Sequence, residues 1–362
     1  MPDTISFARG APAPEALRPD VVAVATAEAL DADGVRMLSY GTGGGYPPLR
    51  EQLGARHGVE ADRVFTTNGS LQAFVFLLES HLSPGDRVAV EAPTYDRALL
   101  QLVQHGMEVL PLPVDEHGLD PAALADACEA GKTPRLLYTI PTFQNPSGAT
   151  LSMERRRALI EVCERHDILV LEDDPYGLLR FEGESLPSLF EIEGGNRVMF
   201  TSSFSKTVAP GLRVGYVVAP QDIVGELASA ANRTYISPSF LAQGAISRML
   251  GDGRFEESVA HVTEQMRLRR DAMVDHLDRL PEGSRVTPPA GGFFIWIELP
   301  EGYSADDLHG PAKDAGVLFV KGSDCFVEGG ERTLRLAYSG VSPDEIAIGM
   351  ERLGSVFSAS RS

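Results

Sequence analysis

Short apolar runs rich in β-branched residues recur through the first 220 positions: RVAVEAP (87–93), RLLYTIP (135–141), ILVLEDD (168–174), RVMFTSS (197–203) and RVGYVVAP (213–220). Between them the apolar spacing turns helical. In MERRRALIEVCERHD (153–167), Leu159, Val162 and Cys163 fall on one face and the charges lie elsewhere, which predicts an amphipathic helix. Strands alternating with helices predict an α/β sheet whose strands run mostly parallel. Such sheets bind ligands beyond the carboxyl ends of their strands, and polar or small residues gather there, as Asp173, Asp174 and Ser203 do. A charged helical stretch (257–280) then leads into GGFFIWIELP (291–300) and TLRLAYSG (333–340), which predicts a second, smaller α+β lobe. The boundaries expected from this pattern are 36–265 for the large domain and 266–362 for the small one, with residues 1–35 belonging to the small lobe.

Composition narrows the classes. A chain of 362 residues suffices for one large domain with a smaller companion and a sizeable core. Its 32 basic and 51 acidic residues give a net charge of −19, which disfavours nonspecific attraction to nucleic acid or an anionic membrane. A small-molecule partner is expected. Cys128, Cys163 and Cys325 have no C-x-x-C spacing, which fits reduced thiols better than a disulfide framework, with Cys163 in the core. The amino-terminal residues lack a basic start followed by an apolar stretch, and no apolar run approaches about 18 residues. A cytoplasmic protein is expected.

Two motifs are decoys. AGKT (130–133) ends like a phosphate-binding loop, but Asp126 stands where the first glycine belongs and no strand precedes it. GTGGGY starts like a dinucleotide fingerprint, but Tyr46 takes the final glycine position and GVRMLSY is a poor buried strand. The eight histidines show no metal spacing and no G-x-S-x-G is present, so no metal site is expected.

The remaining motifs converge on an anion site with an amine in it. TTNGSLQAFVFLLESHL (66–82) runs from a Gly-Ser turn into an apolar helix whose first amides favour a phosphate, although Ser70 taken alone reads as an N-cap. LEDDPYG (171–177) ends a strand in two carboxylates, with Tyr176 three residues after Asp173. TIPTFQNPSGAT (139–150) places Asn145 before a stiffening proline. In TSSFSKTVAPGLRVG (201–215), Lys206 stands among serines with Arg213 beyond it, and a fixed cation near an amine depresses its pKa and makes it nucleophilic.

Together these segments resemble the fold type I pyridoxal-phosphate aminotransferases of class I/II, the group that includes the 2-aminoadipate and kynurenine aminotransferases. ISFARGAPAP, LSYGTGGGYPPLRE, TNGSLQA, APTYDRAL, QNPSG, EDDPYG, SSFSKTVAPGLRVG, PPAGGFFIWIEL and LRLAYS occur in the family's order across nearly the whole chain. The resemblance implies a fold type I PLP-dependent transferase and transfer of an amino group between an L-amino acid and a 2-oxo acid. It implies pyridoxal 5'-phosphate as cofactor and a homodimer in amino acid metabolism or biosynthesis.

Carried over position by position, Lys206 is similar to the lysine that carries the cofactor and later moves the proton. Asp173 would keep the pyridine nitrogen protonated, and Asp174 would be a bystander. Tyr176 and Asn145 match the pair that hydrogen-bonds the phenolic oxygen, with Asn145 also near the substrate. Tyr95 matches the ring that stacks on the cofactor. Ser70, the backbone of Leu71, Ser203, Ser205 and Arg213 resemble the phosphate cradle, and Tyr40 the tyrosine that reaches the neighbouring subunit's phosphate. Arg335 matches the arginine that grips the substrate α-carboxylate. Where relatives commonly carry two glycines this chain has Arg9-Gly10, both candidates for substrate contact, and Arg9 would add a cation that favours an acidic or polar distal group. Two other readings share the motifs. One is elimination, decarboxylation, oxidation or cyclisation of an amino acid in a biosynthetic pathway; the other is a PLP-binding regulator without its DNA-reading head, which the charge opposes.

Overall fold

The structure, a computed structural model, describes residues 4–360. Its centre is an eight-stranded sheet in the order Val64–Thr67, Gly215–Val218, Val198–Ser203, Leu169–Asp173, Leu136–Thr139, Arg87–Ala92, Glu108–Asp115 and Gly118–Leu119. The five strands from Val198–Ser203 to Glu108–Asp115 pair in parallel. Gly215–Val218 runs antiparallel to both of its neighbours, because the loop from Ser203 carries no crossover helix and brings the chain back alongside. Glycine is needed where it returns: a Cβ on Gly215 would lie 2.6 Å from the Ser70 amide nitrogen.

Period-two alternation explains why the strands read as nearly continuous apolar runs. Val88, Val90, Leu136, Tyr138, Leu171 and Met199 enter the core on one face. Their neighbours Ala89, Leu137, Val170, Val198 and Phe200 enter the core on the other. Helices cover both faces, so neither row of side chains meets water. The helix read at 153–167 forms over Met153–Arg165, with Leu159, Val162 and Cys163 buried as expected. Arg156 on that helix is buried too, against the expectation that the charges lie elsewhere. It donates to the carbonyls of Leu151, Pro141 and Pro187 and to Thr142 Oγ1.

A four-stranded sheet, Arg285–Val286, Phe294–Glu298, Thr333–Ala337 and Val320–Lys321, anchors a separate core with the helices Ala305–Asp314 and Pro343–Ala359. Within residues 4–35 the chain contributes to both cores. Ile5 and Phe7 join the small core, where Ile5–Ser6 pairs with Val317–Leu318. From Pro19 on, the chain is a helix whose Val21, Ala25 and Ala29 belong to the large core. Small side chains allow that contact, since a Cβ on the facing Gly244 would come within 3.1 Å of Ala29. The chain crosses to the small core inside the helix Arg254–Val274: Phe255 packs in the large core, Val262 and Met266 in the small one.

Candidate functional site

The carboxyl ends of the parallel strands open into a cavity of about 560 Å³, and almost every residue singled out by the motifs lines it. Ser70 and Leu71 follow the strand Val64–Thr67, Tyr95 follows Arg87–Ala92, and Asn145 follows Leu136–Thr139. Asp173 is the last residue of its strand, with Tyr176 just beyond, and Ser203, Ser205 and Lys206 leave the next. Arg213 enters from the start of the antiparallel strand, while Arg9, Gly10 and Arg335 reach the cavity from the small lobe. Tyr40 is the exception: it is 86 % exposed and does not line the cavity.

At the turn into the helix Ser70–His81, Gly69 holds the cap position with φ 93°, so Ser70 is the first helical residue and not the N-cap. The first turn has no side-chain cap, which leaves amides directed out of the helix end. Arg213 closes over this turn, its Nη2 donating to the Asn68 carbonyl at 2.8 Å and its Nη1 to Ser205 Oγ at 3.3 Å. A Cβ on Gly69 would lie 2.3 Å from Arg213 Nη2, so only glycine admits the guanidinium so close to the amides. Ser203 Oγ completes the cluster, donating to Ser205 Oγ at 2.8 Å.

Asp173 is buried, and its Oδ2 accepts from the Tyr138 hydroxyl at 2.8 Å while Oδ1 has no partner. Burial pushes its carboxyl up to about 7, against the pull of the Tyr138 hydrogen bond and the Lys206 charge. Lys206 moves the other way, to about 8, because burial and then the nearby Arg335 and Arg213 disfavour its ammonium form. Its Nζ donates to the Gly10 carbonyl at 2.6 Å. Gly10 is required in that strap, since a Cβ there would meet the Phe294 ring at 2.6 Å.

Arg335 lies over the Phe294 ring at 4.3 Å and donates to Asn145 Oδ1 at 2.7 Å and to the Ala8 carbonyl at 2.9 Å. Its Nε is buried without a partner. Tyr176 packs against Phe293 and Phe294, and burial raises its phenol pKa. Asp174 points away, accepting from the Gly177 amide at 2.6 Å. Arg9 is exposed at the mouth and has no ion-pair partner among the described residues. Sequence reasoning missed Tyr138, which is read as one more apolar strand position; only the alternation that puts it beside Asp173 marks it out.

The pattern of the family described as aminotransferase class I and II matches residues 2–353. The chain belongs to the class I and II aminotransferases. The α-aminoadipate aminotransferase of Thermus thermophilus, solved with N-(5'-phosphopyridoxyl)-L-leucine, superposes with a TM-score of 0.94 at 37% identity, covering 99% of this chain and 93% of that one. The kynurenine aminotransferase of Pyrococcus horikoshii gives 0.95 at 33% identity, covering 99% and 92%. The aromatic-amino-acid aminotransferase 1 of Thermococcus litoralis is 33% identical over 97% of this chain and 87% of its own length. The large, mostly parallel sheet is accordingly that of fold type I.

This aminotransferase uses pyridoxal 5'-phosphate and moves an amino group between an amino acid and a 2-oxo acid. Its cavity fits that cofactor on two counts. The partnerless Asp173 Oδ1 matches a donor such as a protonated ring nitrogen. The helix end, serines and Arg213 around Gly69 offer amides, hydroxyls and a cation to a phosphate.

Proposed function

We propose that Lys206 carries the cofactor and shuttles the proton at the substrate Cα, with Asp173 and Arg335 fixing the cofactor ring and the substrate α-carboxylate. The observation that carries this reading is the convergence of Lys206, the open Asp173 Oδ1 and the open Arg335 Nε on one cavity. Pyridoxal phosphate, when bound, supplies an electron sink for the pair left on Cα. Asp173 holds the ring nitrogen protonated, and Tyr138 keeps the other carboxylate oxygen turned away. Ser70, the Leu71 amide, Ser203, Ser205 and Arg213 would hold the phosphate, Tyr95 would stack on the ring, and Asn145 and Tyr176 would bind the phenolic oxygen. Arg335 takes the α-carboxylate by two donors in a planar fork. Burial and the nearby Arg335 and Arg213 lower the Lys206 pKa, which favours the neutral amine that would accept the Cα proton and return it.

The active form in this proposal is a cytoplasmic homodimer, with Tyr40 reaching the phosphate of the partner subunit. In support, Tyr40, Leu38 and Val35 are all exposed on one stretch. The following Gly41 is fixed, because a Cβ would meet the Phe240 ring at 2.2 Å and its amide donates to Ser237 Oγ at 3.1 Å. Exposed apolar side chains gathered on one stretch mark an interaction surface. At the mouth, the unpaired Arg9 favours a substrate with an acidic or polar distal group.

Single turnovers test the reaction. Adding an amino donor is expected to bleach the visible band of the bound cofactor, and 2-oxoglutarate or pyruvate to restore it. Product formation with no restoration by any 2-oxo acid would favour elimination or decarboxylation instead.

A further inference from the structure

Glu91 is a second buried carboxylate near a strand end, and the roles proposed above do not use it. It is the penultimate residue of the strand Arg87–Ala92 and 2 % exposed. Three donors converge on it: Thr139 Oγ1 at 2.6 Å, the Ile140 amide at 3.2 Å and Gln144 Nε2 at 2.9 Å. Gln144 carries the contact further. Its Nε2 also donates to the Pro93 carbonyl at 2.8 Å, and its Oε1 accepts from the Ser147 amide at 2.7 Å. Its main chain closes the same loop, the amide donating to the Ala149 carbonyl at 2.9 Å and the carbonyl accepting from the Gly148 amide at 2.6 Å.

Asn145 is therefore the neighbour of a residue whose side chain and backbone are both engaged. Pro93, tied by the same amide, stands two residues before Tyr95. A carboxylate is the side chain this position calls for. All three incoming groups are donors, and an amide at 91 would turn its own NH2 toward one of them. Burial raises the Glu91 pKa, the hydrogen bonds from Thr139, Gln144 and Ile140 oppose that rise, and the balance stands at about 7.

We infer that Glu91, acting through Gln144, is a positioning residue that sets Asn145 against the cofactor and Arg335, and through Pro93 sets Tyr95. The inference rests on the role proposed for Asn145. It differs from a stability role in what it moves. An Asn145 amide donating to the phenolic oxygen favours the ionised form of that oxygen, so misplacing the amide raises the pH midpoint of the bound cofactor's visible band. The charged groups that line the cavity, Asp173, Lys206, Arg335 and Arg213 within it and Arg9, Asp96, Arg97 and Asp324 at its mouth, and the phenols of Tyr95 and Tyr176 are the same in every variant. Gln144→Ala also keeps Glu91, so its shift is not the effect of a lost charge.

The test is that midpoint in cofactor-loaded enzyme. Glu91→Gln and Gln144→Ala are each expected to raise it by about one pH unit and to increase the donor KM several-fold. Ile168→Ala, a buried apolar truncation ahead of the strand Leu169–Asp173, is expected to lower stability and leave the midpoint in place. Adding Gln144→Glu to Glu91→Gln restores one donor–acceptor match and is expected to return part of the shift. If Glu91→Gln does not fold, Gln144→Ala carries the test. An unmoved midpoint in the variants that fold, or an equal shift in Ile168→Ala, overturns the inference. Asn145→Ala separates the two claims. If it leaves the midpoint unmoved, the role given to Asn145 falls; if it shifts the midpoint and Glu91→Gln does not, only the role of Glu91 falls.

Discussion

The floor and the mouth of the cavity are built by different means. On the floor, Asp173, Asn145, Ser203 and Ser205 are buried and tied to neighbours by hydrogen bonds, and all lie at or beyond the strand ends of one sheet. At the mouth, Arg9, Arg97 and Asp324 are exposed, and the pairs there are loose: Arg97 to Asp96 at 3.6 Å and Lys321 to Asp324 at 3.4 Å. Groups held by a sheet are oriented before any ligand arrives, which suits charge stabilisation. Exposed ionic side chains contribute little to stability and rearrange readily. In the proposed function the floor serves the cofactor and the mouth the choice of substrate.

The floor predicts the largest losses. Lys206→Ala is expected to cut turnover by about 10⁴-fold or more while cofactor still binds, read by steady-state rates beside a cofactor titration. Asp173→Asn removes the charge opposite the ring nitrogen and is expected to cost about 10²-fold in kcat. Asp174→Asn disturbs one hydrogen bond to a turn, worth about 1 kcal/mol, and stays within about tenfold of the parent. Reversed severities would mean that the wrong carboxylate has been placed on the floor.

The floor also predicts how the protein without cofactor responds to pH. Burial holds Asp173, Glu91 and Glu172 up at about 7, whereas unfolded carboxyls titrate near 4. Between those values the folded chain binds more protons than the unfolded one, so stability falls as pH rises from about 4 to 7. His57, pushed down to about 4 by burial, opposes this. Urea midpoints measured across that range check the slope, and cofactor is expected to flatten it by giving Asp173 a cationic partner.

The smallest effect belongs to the mouth. Arg9 is exposed, so the loss on Arg9→Gly is that of a surface ion pair, up to about 1 kcal/mol or roughly fivefold in kcat/KM. It is expected for donors with an acidic distal group and not for alanine. An equal loss for both donors would erase the distinction between the two ends of the cavity.

Much of the floor is legible in the sequence because local chemistry marks it. Lys206 sits among serines, Asp173 ends an apolar strand, and Gly69 with Ser70 opens an apolar helix. Residues that act through long-range contacts are not marked in this way. Tyr138, Glu91 and Gln144 lie in ordinary strand and turn sequence, and their partners stand 35 to 53 positions away. Glu108–Asp115 escapes a strand reading because Pro111 and Pro113 argue against one; it is tolerated near the sheet edge, where only its last two residues meet Gly118–Leu119. Val64–Thr67 escapes because four residues ending in two threonines read as the approach to a turn. Arg156 is hidden because its donors are used by loop carbonyls that only the fold brings together.

Borohydride reduction of the cofactor-loaded enzyme, followed by peptide mass spectrometry, reads directly which side chain carries the cofactor. The phosphopyridoxyl mass is expected on the peptide containing Lys206 and on no other. Its appearance on a different lysine, or its absence from a preparation that shows the cofactor band and turns over, would contradict the placement of the reaction in this cavity.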